Sequence, residues 1–144
     1  MSKNLFSEVD KFTIQQAISN AERSTSGEIR VHIDSFCLGN PMRKAIRVFK
    51  RLKMHETAEN NGVLIYIATK NHKLAVVGDK GINDKVPTGF WDEEKKIMIS
   101  YFKDAKYAEG LVEGIHLVGE QLKIYFPAQE TDENELSNEI SFGN

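Results

Sequence analysis

The residues of this 144-residue chain best suited to chemistry are oxygen donors: Glu28, Asn61, Asp79 and Asp84. Carboxylates and an amide carbonyl are the hard ligands that calcium or magnesium takes. Asp79 and Asp84 are the central candidates, with Asn61 and Glu28 beside them. Gly78 and Gly81 flank Asp79 and would let the backbone bend around a cation or present its own carbonyls. The spacing Asp79-x-x-x-x-Asp84 is not that of an EF-hand loop. The ordinary alternative is that Asp79 and Asp84 cap turns or a short helix, and that Glu28 opens an exposed strand face.

Other chemistries are poorly provided for. His55-Glu56 begins an H-E-x-x-H zinc motif, but Glu59 stands where its second histidine belongs. His32, His72 and His116 fall on a strand, a turn and a helix, and read as ordinary histidines. No Ser-His-Asp grouping follows from spacing, and there is no G-x-S-x-G elbow, Walker loop or G-x-G-x-x-G turn. Cys37 is the only cysteine, which excludes an intrachain disulfide and a cysteine-rich zinc site. Asp34 is a rival to the first cluster, because it ends a strand where parallel α/β sheets hold ligands. Asp92, Glu93 and Glu94 are explained by capping and the helix dipole, with Asp92 as the cap.

The elements that must position these residues are legible. Ser7 caps a helix with apolar positions Phe12, Ile14, Ala17, Ile18 and Ala21, which stops near Arg23 before Ser24-Thr25-Ser26-Gly27. Glu28 to Asp34 alternates strictly and predicts a half-buried strand, with Ile29, Val31 and Ile33 inward. Asn40-Pro41 opens a second helix with apolar stripe Met42, Ala45, Ile46, Phe49 and Leu52. The apolar, β-branched run Val63–Ala68 suits a central strand, and Lys73–Val77 pairs with it as an antiparallel hairpin across Lys70-Asn71-His72. The result is β-α-β-β with the first two strands parallel. Two helices follow, around Asp92 and from about Tyr107. In the second, Gly110 and Gly114 permit close approach to a neighbouring helix. With strands one and two parallel and strand three running back, Glu28, Asn60-Asn61 and Gly78-Asp79 collect at one sheet edge, and Asp84 follows closely.

In this order the segments resemble the TPM domain family, which includes thylakoid lumen proteins linked to photosystem II repair, an animal receptor-modulating membrane protein and many bacterial proteins. The likeness lies in AERSTSGEIRVHI (21–33), MHETAENNGVLIYIA (54–68), LAVVGDKGI (74–82), Phe90-Trp91 and GLVEGIHLVGEQL (110–122). It implies a three-layer α/β/α sandwich with a small mixed sheet, and a divalent-cation site with calcium ahead of magnesium. For some members it implies acid phosphatase activity. The GDKGI turn (78–82) departs from the glycine-rich turn commoner in the family. A phosphatase would need the cation to polarise the phosphoryl oxygen and supply hydroxide, and no nucleophile stands out.

Composition bounds the rest. A hydrophobic fraction of 40% and a charged fraction of 28% are those of a globular protein. The five acids Glu130, Asp132, Glu133, Glu135 and Glu139 exceed the whole net charge of −2, so the rest of the chain is net positive. The expected organisation is a TPM-like domain over 1–127 and an acidic tail over 128–144 without fixed structure. No signal peptide or apolar span is present, which predicts a cytoplasmic monomer with no membrane insertion. The second helix carries six cations and no acid between Met42 and Lys53. Without interleaved aromatic residues it argues against nucleic acid. Three functions are therefore in play: a cation-binding module acting through a protein partner, a metal-dependent phosphatase, and a metal-free scaffold using the basic helix 41–53.

Overall fold

The computed structural model describes residues 5–128 and 140–144. Helix α1 (Glu8–Glu22) begins in a complete capping box: Ser7 Oγ accepts from Asp10 N–H, and the Asp10 carboxylate accepts from Ser7 N–H. These bonds occupy donors that a helix start otherwise leaves unpaired. Strand β1 (Glu28–Asp34) leads through a loop to α2 (Pro41–Arg51), where Asn40 Oδ1 accepts from Met42 and Arg43 N–H ahead of the first-turn proline. A 3-10 turn (Met54–Glu56) precedes β2 (Gly62–Ala68) and β3 (Lys73–Gly78). Helices α3 (Lys80–Asn83), α4 (Phe90–Phe102) and α5 (Tyr107–Tyr125) follow, and β4 (Ser141–Phe142) closes the described chain.

The sheet order is β3-β2-β1-β4, with β1 parallel to β2 and β4 and the β2–β3 pair antiparallel. Strand alternation divides the interior into two cores. On one face Ile29, Val31, Ile33, Val63, Ile65 and Ile67 meet α1, α4 and α5. On the other, Leu64, Tyr66 and Ala75 meet Ala45, Val48 and Phe49 of α2. Helices on both faces make the expected three-layer α/β/α arrangement. The close helix approach is also present. A Cβ on Gly110 would fall 2.7 Å from the Phe102 ring, and one on Gly114 2.5 Å from Met98 Sδ.

Several expectations need correction. The polar face of β1 is not exposed: Glu28, His32 and Asp34 are each at most 2% accessible, with the C-terminal segment against His32 and Asp34 and Glu22 against Glu28. Phe12, read as part of the inward stripe of α1, is 61% exposed, and Val48 rather than Ile46 faces inward from α2. Asp92 lies in the first turn of α4, whose cap position is Gly89 with φ +84°. The tail also departs from its expectation at its end. Ile140 packs in the larger core, Ser141 and Phe142 pair with His32 and Ile33, and Gly143 N–H donates to Ile33 C=O. The five tail acids lie outside the described residues.

Candidate functional site

The edge of the sheet where β1 and β2 begin collects most of the expected oxygen donors. Glu28 lies opposite Gly62, Val63 opposite Gly78, and Asp79 N–H donates to Gly62 C=O at 2.9 Å. Glu28 and Asp79 therefore flank Gly62 from either side, two strand spacings or about 10 Å apart by sheet geometry, and Asn61 precedes Gly62 on the strand between them. Asp84 is not brought to them. It is exposed and caps the far end of α3, while Asp79 caps its start by accepting from Lys80 N–H at 2.8 Å. The four residues of α3 lie between the two, which are about 7.5 Å apart along the helix axis. The capping alternative thus describes what Asp79 and Asp84 do in this state.

Glu22, which the sequence reading passed over, enters in place of Asp84. The last turn of α1 lies over the start of β1, so Glu22 Oε2 accepts from Ile29 N–H at 2.8 Å and its carboxyl bonds to that of Glu28. Burial, then the bond and like charge of Glu28, push the Glu22 pKa up to about 9, against the opposing Ile29 bond. The pair therefore shares a proton at neutral pH. Beside it Asn61 donates to Ser26 Oγ at 3.2 Å, and Ser26 donates to Glu59 Oε2 at 2.5 Å.

Among the described residues, three oxygens at this edge find no donor: Glu22 Oε1, Asn61 Oδ1 and Asp79 Oδ2 are buried and accept nothing. Buried polar atoms are nearly always hydrogen-bonded. Glu22 shares the proton of its pair with Glu28, so Asn61 Oδ1 and Asp79 Oδ2 are the two left as unsatisfied acceptors. Among the described residues no three His, Cys, Asp or Glu side chains converge closely enough to hold a metal ion as they stand. Carboxylate and amide oxygens are the ligand types that calcium and magnesium take. The glycines serve close approach instead of a bend. A Cβ on Gly81 would fall 2.3 Å from Glu59 C=O and 2.5 Å from Asn60 C=O, and one on Gly78 2.5 Å from the Trp91 ring. Asn60, between Glu59 and Asn61, has φ +53°, a conformation asparagine tolerates better than most residues.

The other end of β1 holds a second polar cluster. Asp34 accepts from Tyr66 O–H at 2.6 Å and bonds His32 Nε2 at 3.0 Å, with Lys44 Nζ at 4.0 Å. His32 Nδ1 meets Ser141 Oγ at 2.8 Å. Burial alone would raise the Asp34 pKa, but the bonds from His32 and Tyr66 and the neighbouring His32 and Lys44 hold it below the usual carboxylate range. Burial and the bond to Asp34 push the Tyr66 hydroxyl up. Serine, histidine and aspartate thus lie in series, a grouping that no spacing in the sequence discloses. A substrate has no room there. A Cβ on Gly143 would fall 1.8 Å from Asp34 Oδ1 and 2.8 Å from His32 Nε2. Asn144 fastens this cover: its Oδ1 accepts from Ser35 N–H at 2.7 Å and its Nδ2 donates to Phe36 C=O at 2.9 Å.

This fold and its strand-edge residues accompany a clear kinship. A family model described as the TPM domain matches residues 1–121, and the chain belongs to that family. Among solved structures it is similar to the BA42 protein from the psychrophilic bacterium Bizionia argentinensis, with 41% identity and a TM-score of 0.89 over 96% of this chain and 95% of that one. An N-terminal domain from P. gingivalis shares the fold at 21% identity and TM-score 0.68, covering 85% of this chain and 79% of that one. So does the N-terminal domain of cg2496 from Corynebacterium glutamicum, at 16% identity and TM-score 0.65, covering 81% and 74%. No curated protein matches the chain. No helix among the described residues is long and apolar enough to cross a membrane.

Proposed function

We propose that this TPM domain binds a divalent cation, calcium ahead of magnesium, at the edge formed by Glu22, Glu28, Asn61 and Asp79, and that the bound form acts through a protein partner. The observation that carries this reading is the pair of buried acceptor oxygens, on Asn61 and Asp79, without donors among the described residues. A bound cation supplies positive charge to these oxygens, which otherwise bear the cost of burial unpaired. Glu22 and Glu28 give up their shared proton when they ligate, because a carboxylate binds metal in its ionised form. Asn61 contributes its carbonyl oxygen while its amide stays on Ser26. Asp79 can present its donorless Oδ2 while Oδ1 keeps the cap on α3. Asp84, exposed at the far end of α3, is left outside the ligand set.

Ligation would tie the end of α1, the loop before β2 and the start of α3 to one point. The surface around them then changes in order and charge, which is what a partner reads. Calorimetric titration of calcium chloride into the intact chain tests the reading. Saturable binding that weakens at least tenfold in both Asn61→Ala and Asp79→Ala is expected. Affinity unchanged by either substitution removes that residue from the ligand set.

A further inference from the structure

A cleft of about 550 Å³ opens at the opposite end of β2, between the β2–β3 turn and the junction of α4 with α5. Its volume lies within the range of small-molecule sites, and it sits at the carboxyl end of a parallel strand, where α/β sheets commonly hold ligands. Seven residues of β2, about 20 Å of extended chain, separate it from the carboxylate edge. The two sites are therefore independent.

Chemistry divides the lining in two. Ile67 and Leu74 from the hairpin, with Ile99 from α4, form an apolar floor. One wall is aromatic: Phe102 and Tyr107 stack with centroids 5.3 Å apart and planes 27° from parallel. Ile99 is 40% exposed, a large apolar side chain left open to the cleft. Lys73, Lys103 and His72, all exposed, also line the cleft, and no acidic residue among the described residues does. Each of the two turns that close it contains a non-glycine residue with positive φ, His72 at +54° and Ala105 at +59°. Such backbone is uncommon outside glycine and gathers at ligand clamps.

We infer that this cleft binds a small organic anion with a flat aromatic body, its ring against Phe102 and Tyr107 and its charged group between Lys73 and Lys103. The aromatic wall favours a planar ring over an alkyl chain, because offset stacking adds to simple apolar burial. The two ammonium groups favour an anion, and the absence of a lining acid removes the repulsion that would oppose it.

Amide-resolved titration of the intact chain with 1-naphthoate tests the inference, with 1-naphthamide as the uncharged control. Saturable shifts confined to residues 67–74 and 99–107 are expected, with the amide binding at least fivefold more weakly. Lys73→Glu with Lys103→Glu should weaken naphthoate at least tenfold. These lysines are exposed, so the unperturbed remainder of the spectrum reports that the fold is intact. Ile99→Glu, also at an accessible position, should weaken it comparably by placing a like charge inside the cleft. The inference is overturned by shifts that fail to saturate, by equal affinity for acid and amide, or by charge reversal without effect. Calcium binding by the same samples is expected to be unchanged, so failure here and failure at the carboxylate edge are told apart.

Discussion

The two ends of β1 each bury carboxylates, and they treat them oppositely. At the carboxyl end Asp34 is met by Tyr66, His32 and, more distantly, Lys44. Donors hold it ionised, and Gly143 covers it with backbone. At the amino end Glu22 faces Glu28, a second acid, and three oxygens have no donor among the described residues. A cluster whose acceptors are satisfied has little to gain from a ligand, whereas one short of positive charge gains much. Burial of acids alone would not separate the two. The supply of donors does: it gives Asp34, His32 and Ser141 a structural role and is the ground on which ligand binding is proposed at the other end.

That contrast can be broken most forcibly at Asp34. Asp34→Ala leaves His32 and the Tyr66 hydroxyl buried without their acceptor, and a loss of about 3–5 kcal/mol in urea unfolding is expected. Its calcium affinity should stay at the wild-type value. Loss of calcium binding in a still-folded variant would transfer the ligand site to this end.

Glu94 sharpens the comparison from a third position. It is buried between α4 and α5, neither carboxylate oxygen is bonded among the described residues, and burial, then the charge of Glu113, push its pKa up to about 8. The folded state therefore keeps a proton that the unfolded chain releases from about pH 4.5. Stability from this group is complete below that pH and is lost as pH rises through about 8. Glu94→Gln should stabilise the protein by a few kcal/mol at pH 8 and by almost nothing at pH 4. Calcium affinity should not change, since one isolated carboxyl does not make a site. A stability gain independent of pH would contradict the assignment.

Smaller effects are expected at the C-terminal cover. Gly143→Ala must displace β4 or the Asp34 carboxylate, for about 1–3 kcal/mol. Ser141→Ala removes one bond to His32 and should cost about 1 kcal/mol by thermal or chemical unfolding. If Ser141→Ala costs nothing while Gly143→Ala still destabilises, packing and not the serine bond holds the cover.

Much of this was legible in the chain itself. The alternation of Ile29, Val31 and Ile33, the apolar runs around Ile65 and Val76, the Ser7 box and the Asn40-Pro41 start are local signals, and each element formed where they put it. Strand direction alone brought Glu28, Asn61 and Asp79 to one edge. Glu22 was missed because it reads as an ordinary acid near a helix end. Only the docking of α1 over β1 turns it toward Ile29 and Glu28. Burial of His32 and Asp34 was missed for the same kind of reason, since alternation reports which face a residue takes and not what covers that face. The one available signal for the cover was Ile140 and Phe142, apolar at strand spacing just after the acidic stretch.

The central claim is tested most directly by titrating calcium into the isotopically labelled intact chain and following every backbone amide. Saturable shifts should centre on Glu22, Glu28, Asn60 to Gly62 and Asp79, with Asp34, His32 and Ser141 unmoved. Changes confined to the acids of 130–139, or to the Asp34 end of the strand, would contradict it.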